Sequence, residues 1–216
     1  MSGIPSTAPA AVSSKLLRVE QVGPDHPLRQ EVEAMVRSVY AASYAANVSS
    51  FPHRMLAVLS PCGQPLCAAG IRDCQSGFFS ECYLSDSVET EISRRLCRPV
   101  AREQVMEVTT LAAWRPGFAF GLIDCAIQLG RSEGILWGLC TATAPLRRSM
   151  ARIGAPLLEL ADAQPEKVSE PWLWGSYYDL NPRVCLLQDP QLRPPFRPTL
   201  PALVAGNDEL RGQEDA

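Results

Sequence analysis

Residues 102–130, REQVMEVTTLAAWRPGFAFGLIDCAIQLG, read as a strand, a glycine-bearing turn and a nearly all-apolar helix, and the rest of the chain is organised around that unit. Side chains alternate between the two faces of a strand. Val105, Glu107, Thr109 and Leu111 are therefore expected on one face, and Met106, Val108, Thr110 and Ala112 on the other. This puts a carboxylate among strand residues expected to be buried. An ionised carboxylate buried without partners is strongly disfavoured, so Glu107 must find a cation or hydrogen-bond donors, or carry a raised pKa.

Upstream of this unit, Lys15 to Val22 reads as a first strand and GPDHP as a turn. From Leu28 to Asn47, Val32, Met35, Val36, Val39, Tyr40 and Ser43 form one stripe at helical period. Met55 to Leu59 and Leu66 to Ile71 flank SPCGQP, whose proline and glycine predict a hairpin. Asp86 to Cys97 reads as a polar helix capped by Asp86 or Ser87. Downstream, Ile135 to Thr143 is a continuous apolar run suited to a strand covered on both faces. Pro145 opens a helix that Gly154 ends. Leu157 to Leu160 and Arg183 to Leu187 are the last strand candidates. The order β, α, β, β, α, β, α, β, α, β, β is that of an α+β protein with a mixed central sheet flanked by helices.

Of the 216 residues, 46% are hydrophobic and 20% charged, with a net charge of −3, so there is no basic surplus for nucleic acid. Residues 1–14 are rich in Ser, Ala and Pro, and residues 189–216 carry a crowd of prolines; both are expected to be disordered around a domain at 15–188. The start of the chain lacks a secretory pattern, which predicts a cytoplasmic protein with reduced thiols. The eight cysteines show no zinc spacing, and most are expected to be buried as small hydrophobes. No run reaches the length of a membrane span. His26 and His53 sit in no triad or metal pattern, which argues against a hydrolase of the usual kind.

In order along the chain come AAGIR at 68–72, SECYL at 80–84, VETEI at 88–92, PVAR at 99–102, VMEVTTLA at 105–112, LCTATAPLRR at 139–148 and WGSYYDLNPRV at 174–184. With this element order, the series resembles the thermostable haemolysin family, a GNAT-like fold related to the acyl-homoserine-lactone synthases. The resemblance spans about residues 30–187. The family usually reads EVGNLA where this chain has EVTTLA at 107–112, so a Gly and an Asn are both replaced by threonine. The glycine-rich turn that follows the central strand in GNAT enzymes also has other spacings here.

The resemblance implies an acyl-CoA, or a phosphopantetheine-linked acyl thioester, lying against the central strand. Leu111, Ala112, Arg115, Gly117 and Phe118 would hold it, with N–H groups of the following helix toward phosphate. An amine acceptor must lose a proton as it attacks a thioester, which makes Glu81 and Glu107 the candidate bases. Glu81 reads equally well as a structural ion pair with Arg72 or Arg102. Those two arginines resemble the ones that lactone synthases place near their acceptor, and an Arg fork matches a carboxylate. Thr109 and Thr110 fall beside the acceptor, and Tyr177 or Tyr178 would reprotonate the departing thiolate, or else simply pack. Arg94, Arg95, Arg98 and Arg102, with Arg147, Arg148 and Arg152, are solvated faces or a dock for an acidic acyl carrier protein.

The function implied is transfer of an acyl group from a CoA or carrier-protein thioester to the amine of a small molecule such as an amino acid, without metal and without a cysteine nucleophile. The rivals are a catalytically idle GNAT-like binding subunit and a membrane-damaging haemolysin.

Overall fold

A computed structural model describes residues 17–155, 157–188 and 203–205. The strands are β1 (Leu17–Val22), β2 (Arg54–Leu59), β3 (Pro65–Arg72), β4 (Val105–Ala113), β5 (Trp137–Ala142), β6 (Leu158–Asp162), β7 (Arg183–Gln188) and β8 (Leu203–Ala205). The helices are α1 (Arg29–Tyr44), α2 (Val88–Leu96), α3 (Pro116–Ser132) and α4 (Ala144–Arg152). The strands form one mixed sheet in the order β6-β7-β5-β4-β3-β2-β1-β8. From β1 to β4 neighbours are antiparallel; a short hairpin joins β2 to β3, whereas α1 lies between β1 and β2 and α2 between β3 and β4. α3 crosses over to make β5 parallel to β4.

The predicted order is borne out for every element from β1 to β7. α1 buries the expected Val32, Met35, Val36 and Tyr40, but stops at Tyr44 because Ala45 turns left-handed at φ 53°. Its N–H then returns to Ala41 O, a closing turn that periodicity does not reveal. α2 starts at Val88, and Ser87 makes no side-chain cap. The Val88 N–H is instead given to the Glu81 carboxylate at 3.0 Å. Segment 1–14 lies outside the described residues, as does the tail from Asp189 apart from β8, which runs parallel beside β1. The cysteines depart from expectation: Cys67 and Cys185 are buried, whereas Cys62, Cys82 and Cys97 are exposed on turns and helix ends.

Two faces of the sheet are filled. α3 packs Leu122 and Ala126 against Met106, Ile71, Cys67 and Val58 on one. On the other, α1 covers Met55, Ala57, Ala68 and Ala112, while α2 and the turn before it cover Val105, Trp137 and Leu139.

The alternation expected along β4 fails at Thr110. Gly70 pairs with Thr109 and Ala68 with Ala112, so Thr110 and Leu111 together oppose the single residue Ala69. This is a β-bulge, with Thr110 at φ 46°. One inserted residue inverts the parity beyond it. Leu111, expected beside Glu107, packs instead toward α3, and Ala112 joins the α1 face.

Candidate active site

The bulge sets up the site. β4 and β5 pair only from Val105↔Trp137 to Glu107↔Leu139, and beyond that the two parallel strands part. A bulge bends its strand, and among the described residues the edge of β4 that faces β5 has no strand beside it from Val108 onward. A cavity of about 400 Å³ occupies the gap. Its wall draws on both faces of the sheet: Tyr44, Pro52 and Tyr177 from one, Val108, Phe120 and Ile123 from the other. That volume is of the size that takes a small ligand.

Glu107 lies at the point of divergence and is fully buried. Its Oε2 accepts the Phe79 N–H at 2.6 Å, and its Oε1 accepts the Ser80 N–H at 2.9 Å and the Ser80 hydroxyl at 2.5 Å. Burial raises its pKa above the ordinary carboxylate value, and these donors, with Arg72 more weakly, oppose the rise. Both outcomes expected of a buried carboxylate thus occur together. Arg72 sits directly opposite Glu107 in the β3–β4 ladder and in the cavity wall. Its one hydrogen bond among the described residues is to Ser76 O, at 3.5 Å.

Glu81 and Arg102 are brought together, but elsewhere. Arg102 gives both ends of its fork to Glu81, reaches Glu89 at 2.8 Å and stacks 4.7 Å over Phe78. Neither lines the cavity. The Arg102 hydrogen bonds hold the Glu81 carboxyl below its ordinary pKa. The pair ties the start of α2 to the entry of β4, a structural ion pair.

Thr109 and Thr110 both line the cavity, and their buried hydroxyls find no partner among the described residues. Gly70 is needed opposite Thr109, because a Cβ there would lie 2.3 Å from Pro52 Cγ and 2.6 Å from Thr109 Oγ1. Leu111 lines the cavity, whereas Ala112 is turned into the α1 core by the bulge. Arg115 and Gly117 are exposed at the start of α3, and Phe118 packs against the α3 side of the sheet.

Tyr178 is outside the wall, with its hydroxyl 2.8 Å from that of Tyr83, which is in it. Tyr177 lines the cavity and gives its proton to Thr141 O at 3.1 Å. Burial raises the pKa of all three phenols, so they are held protonated. Cys140 also faces the cavity, with its thiol pKa pushed up by burial, away from a nucleophilic thiolate. Of the arginine cluster, Arg94 is paired with Asp86 and Glu91, Arg98 stacks on Trp137, and Arg147 is bound to Glu159.

Sequence reasoning missed Ser80, Thr141 and Tyr83. Nothing in SECYL or LCTAT sets those side chains apart, since their partners lie 27, 61 and 95 residues away. The 171–180 segment that carries Trp174 and Tyr177 was also unassigned. It folds as a tight helical stretch kinked at Gly175 (φ 52°, ψ −128°).

Solved structures with this architecture share little sequence with the chain. The AHL synthase LasI superposes with a TM-score of 0.55 at 8% identity, over 80% of this chain and 89% of its own. TofI in an apo form gives 0.54 at 12%, over 80% and 90%. FeeM, an N-acyl amino acid synthase from uncultured soil microbes, gives 0.54 at 14%, over 84% and 95%. No curated protein matches in sequence. These likenesses show the fold, an α+β sheet of the GNAT type. The family model described as thermostable hemolysin matches residues 22–191, and the chain therefore belongs to the thermostable hemolysin family.

Proposed function

We propose that this protein is an N-acyltransferase, moving an acyl group from a CoA-linked or carrier-protein-linked thioester to the amine of a small molecule such as an amino acid. The observation that carries this is the parting of β4 from β5 over a cavity that has a buried carboxylate at its point of divergence. The unpaired edge of β4 beyond Glu107 offers backbone groups to a pantetheine arm. At the start of α3, where Pro116 has no N–H and the Phe118 N–H is given to Arg115 O, the Gly117 N–H beside the Arg115 guanidinium is offered to its phosphate. The acyl chain occupies the apolar arm between Val108, Phe120 and Ile123.

On the other face Arg72 is a cation for the acceptor's carboxylate, and the buried Glu107 is the final destination of its proton. Tyr83, backed by Tyr178, is the phenol placed to reprotonate the departing sulfur. With no thiolate at Cys140, the amine attacks directly.

The test is release of free thiol from acyl thioesters incubated with purified protein and an amino-acid mixture. Turnover is expected, with Glu107→Gln lowering kcat by about 10²-fold or more. Turnover indifferent to Glu107 refutes its assignment as the base at this site, and thermal stabilisation by acyl-CoA with no turnover at all refutes the enzymatic reading. Dye leakage from liposomes would point instead to membrane damage.

A further inference from the structure

Glu107 is part of the cavity wall, yet none of its surface is open to the cavity's contents. It and Ser80 both have 0% of their surface exposed, so an acceptor cannot touch the carboxylate. Its oxygens are taken up by the donors of Phe79 and Ser80. A base in that position works only through a neighbour that both holds its hydrogen bond and reaches the cavity.

One such path exists. The Ser80 hydroxyl stands 2.5 Å from Glu107 Oε1 and 2.7 Å from Thr141 Oγ1. A serine hydroxyl has one proton. While Ser80 donates it to the carboxylate, the bond between Ser80 and Thr141 is donated by Thr141. Thr141 sits on β5 two residues past the last β4 pair, on the lip of the gap, and it is part of the cavity wall. The Tyr177 hydroxyl fixes its carbonyl. Three oxygens on three separated segments thus form a continuous hydrogen-bonded line from the buried acid to the ligand space.

We infer that Thr141 is the catalytic hydroxyl at the cavity end of a proton relay, receiving the acceptor's proton and passing its own through Ser80 to Glu107. This rests on the acyltransferase reading above. As the amine lone pair attacks the thioester carbonyl carbon, the N–H bond breaks toward Thr141 Oγ1. The Thr141 proton moves to Ser80 Oγ and the Ser80 proton to Glu107 Oε1, leaving two unchanged hydroxyls and a neutral carboxylic acid. The C–S bond then breaks, sulfur leaves with the electron pair, and a proton from Tyr83 makes the free thiol. Glu107 returns its proton along the same line, and Tyr83 is restored from solvent. Ser80 is a positioning residue, because it touches Glu107 and not the substrate. The raised pKa of the buried Glu107 suits it to take the proton.

The experiment compares wild type, Glu107→Gln, Thr141→Val, Thr141→Ser and Ser80→Ala, using octanoyl thioesters of CoA and of carrier protein with an amino-acid mixture. Thr141→Val keeps the shape and removes the hydroxyl. It is expected to lower kcat by about 10²-fold with KM and melting temperature nearly unchanged, and Thr141→Ser to restore kcat to within about tenfold. Ser80→Ala is expected to lower kcat as Thr141→Val does. In H2O–D2O mixtures the wild type should show a curved proton inventory, because more than one proton moves. A Thr141→Val enzyme at the wild-type rate beside an inactive Glu107→Gln overturns the relay and leaves acyl transfer standing. So does a Thr141→Ser enzyme as slow as Thr141→Val. A Glu107→Gln enzyme at the wild-type rate removes the acyltransfer reading of the site, and the relay with it.

Discussion

Thr110 is the residue on which β4 turns, and it is poorly suited to its conformation. At φ 46° it occupies the left-handed region. That region costs an L-residue about 1–2 kcal/mol, and β-branched side chains fit it worst, whereas Asn and Gly accept it. Its hydroxyl is also buried without a partner among the described residues, a further cost of about 1–3 kcal/mol for a fully desolvated group. Replacing it by glycine removes both penalties and adds about 0.5–1 kcal/mol of unfolded-chain entropy. Asparagine, the residue usual in the family at this position, relieves the backbone without that entropy. Each substitution is expected to stabilise by about 1 kcal/mol, or a rise of about 2–4 °C in melting temperature for a domain of this size. Calorimetry on Thr110→Asn and Thr110→Gly tests this. Thr110→Val removes the hydroxyl and keeps the strain, so it should recover only part of the gain. Thr109→Gly, where no positive φ exists, should lower stability. Melting temperatures of Thr110→Asn and Thr110→Gly at or below wild type would refute the assignment of strain to the bulge.

Three further outcomes are expected. Gly175→Ala would put a Cβ 2.0 Å from Tyr44 O at a backbone conformation open only to glycine, and should cost about 3 kcal/mol or more in urea unfolding. The Glu107 pKa is raised in the folded protein, so as pH climbs through the ordinary carboxylate range the unfolded chain releases its proton first. Wild-type stability relative to Glu107→Gln should therefore fall over that window and level off once the buried group ionises, as read from unfolding midpoints across a pH series. Glu81 has the opposite sign. Its pKa is lowered chiefly by Arg102, so its stabilisation is full above the ordinary carboxylate pKa and disappears as pH falls through the lowered one. Glu81→Gln should melt below wild type at neutral pH and converge with it in acid.

The elements themselves were legible in the chain because their signals are local. Helical period marked α1, the Pro-Gly turn marked the β2–β3 hairpin, and the carboxylate at 107 stood out inside an apolar strand. The order of those elements and the motifs along them also carried the family. What decides the site is not local. No propensity reveals that Thr110 and Leu111 share one partner residue, since the bulge arises from register against β3, yet it inverts every side chain after it and parts β4 from β5. Glu81 and Arg102 looked as catalytic as Glu107 and Arg72 by residue type. Only the packing of the 78–81 turn against α2 makes the first pair a brace, while the β3–β4 ladder sets the second beside a cavity. The hydroxyl line from Glu107 through Ser80 to Thr141 joins three segments far apart in sequence. Hydrogen bonds of this kind depend on atom positions that sequence spacing does not encode, and the tertiary structure alone supplies them.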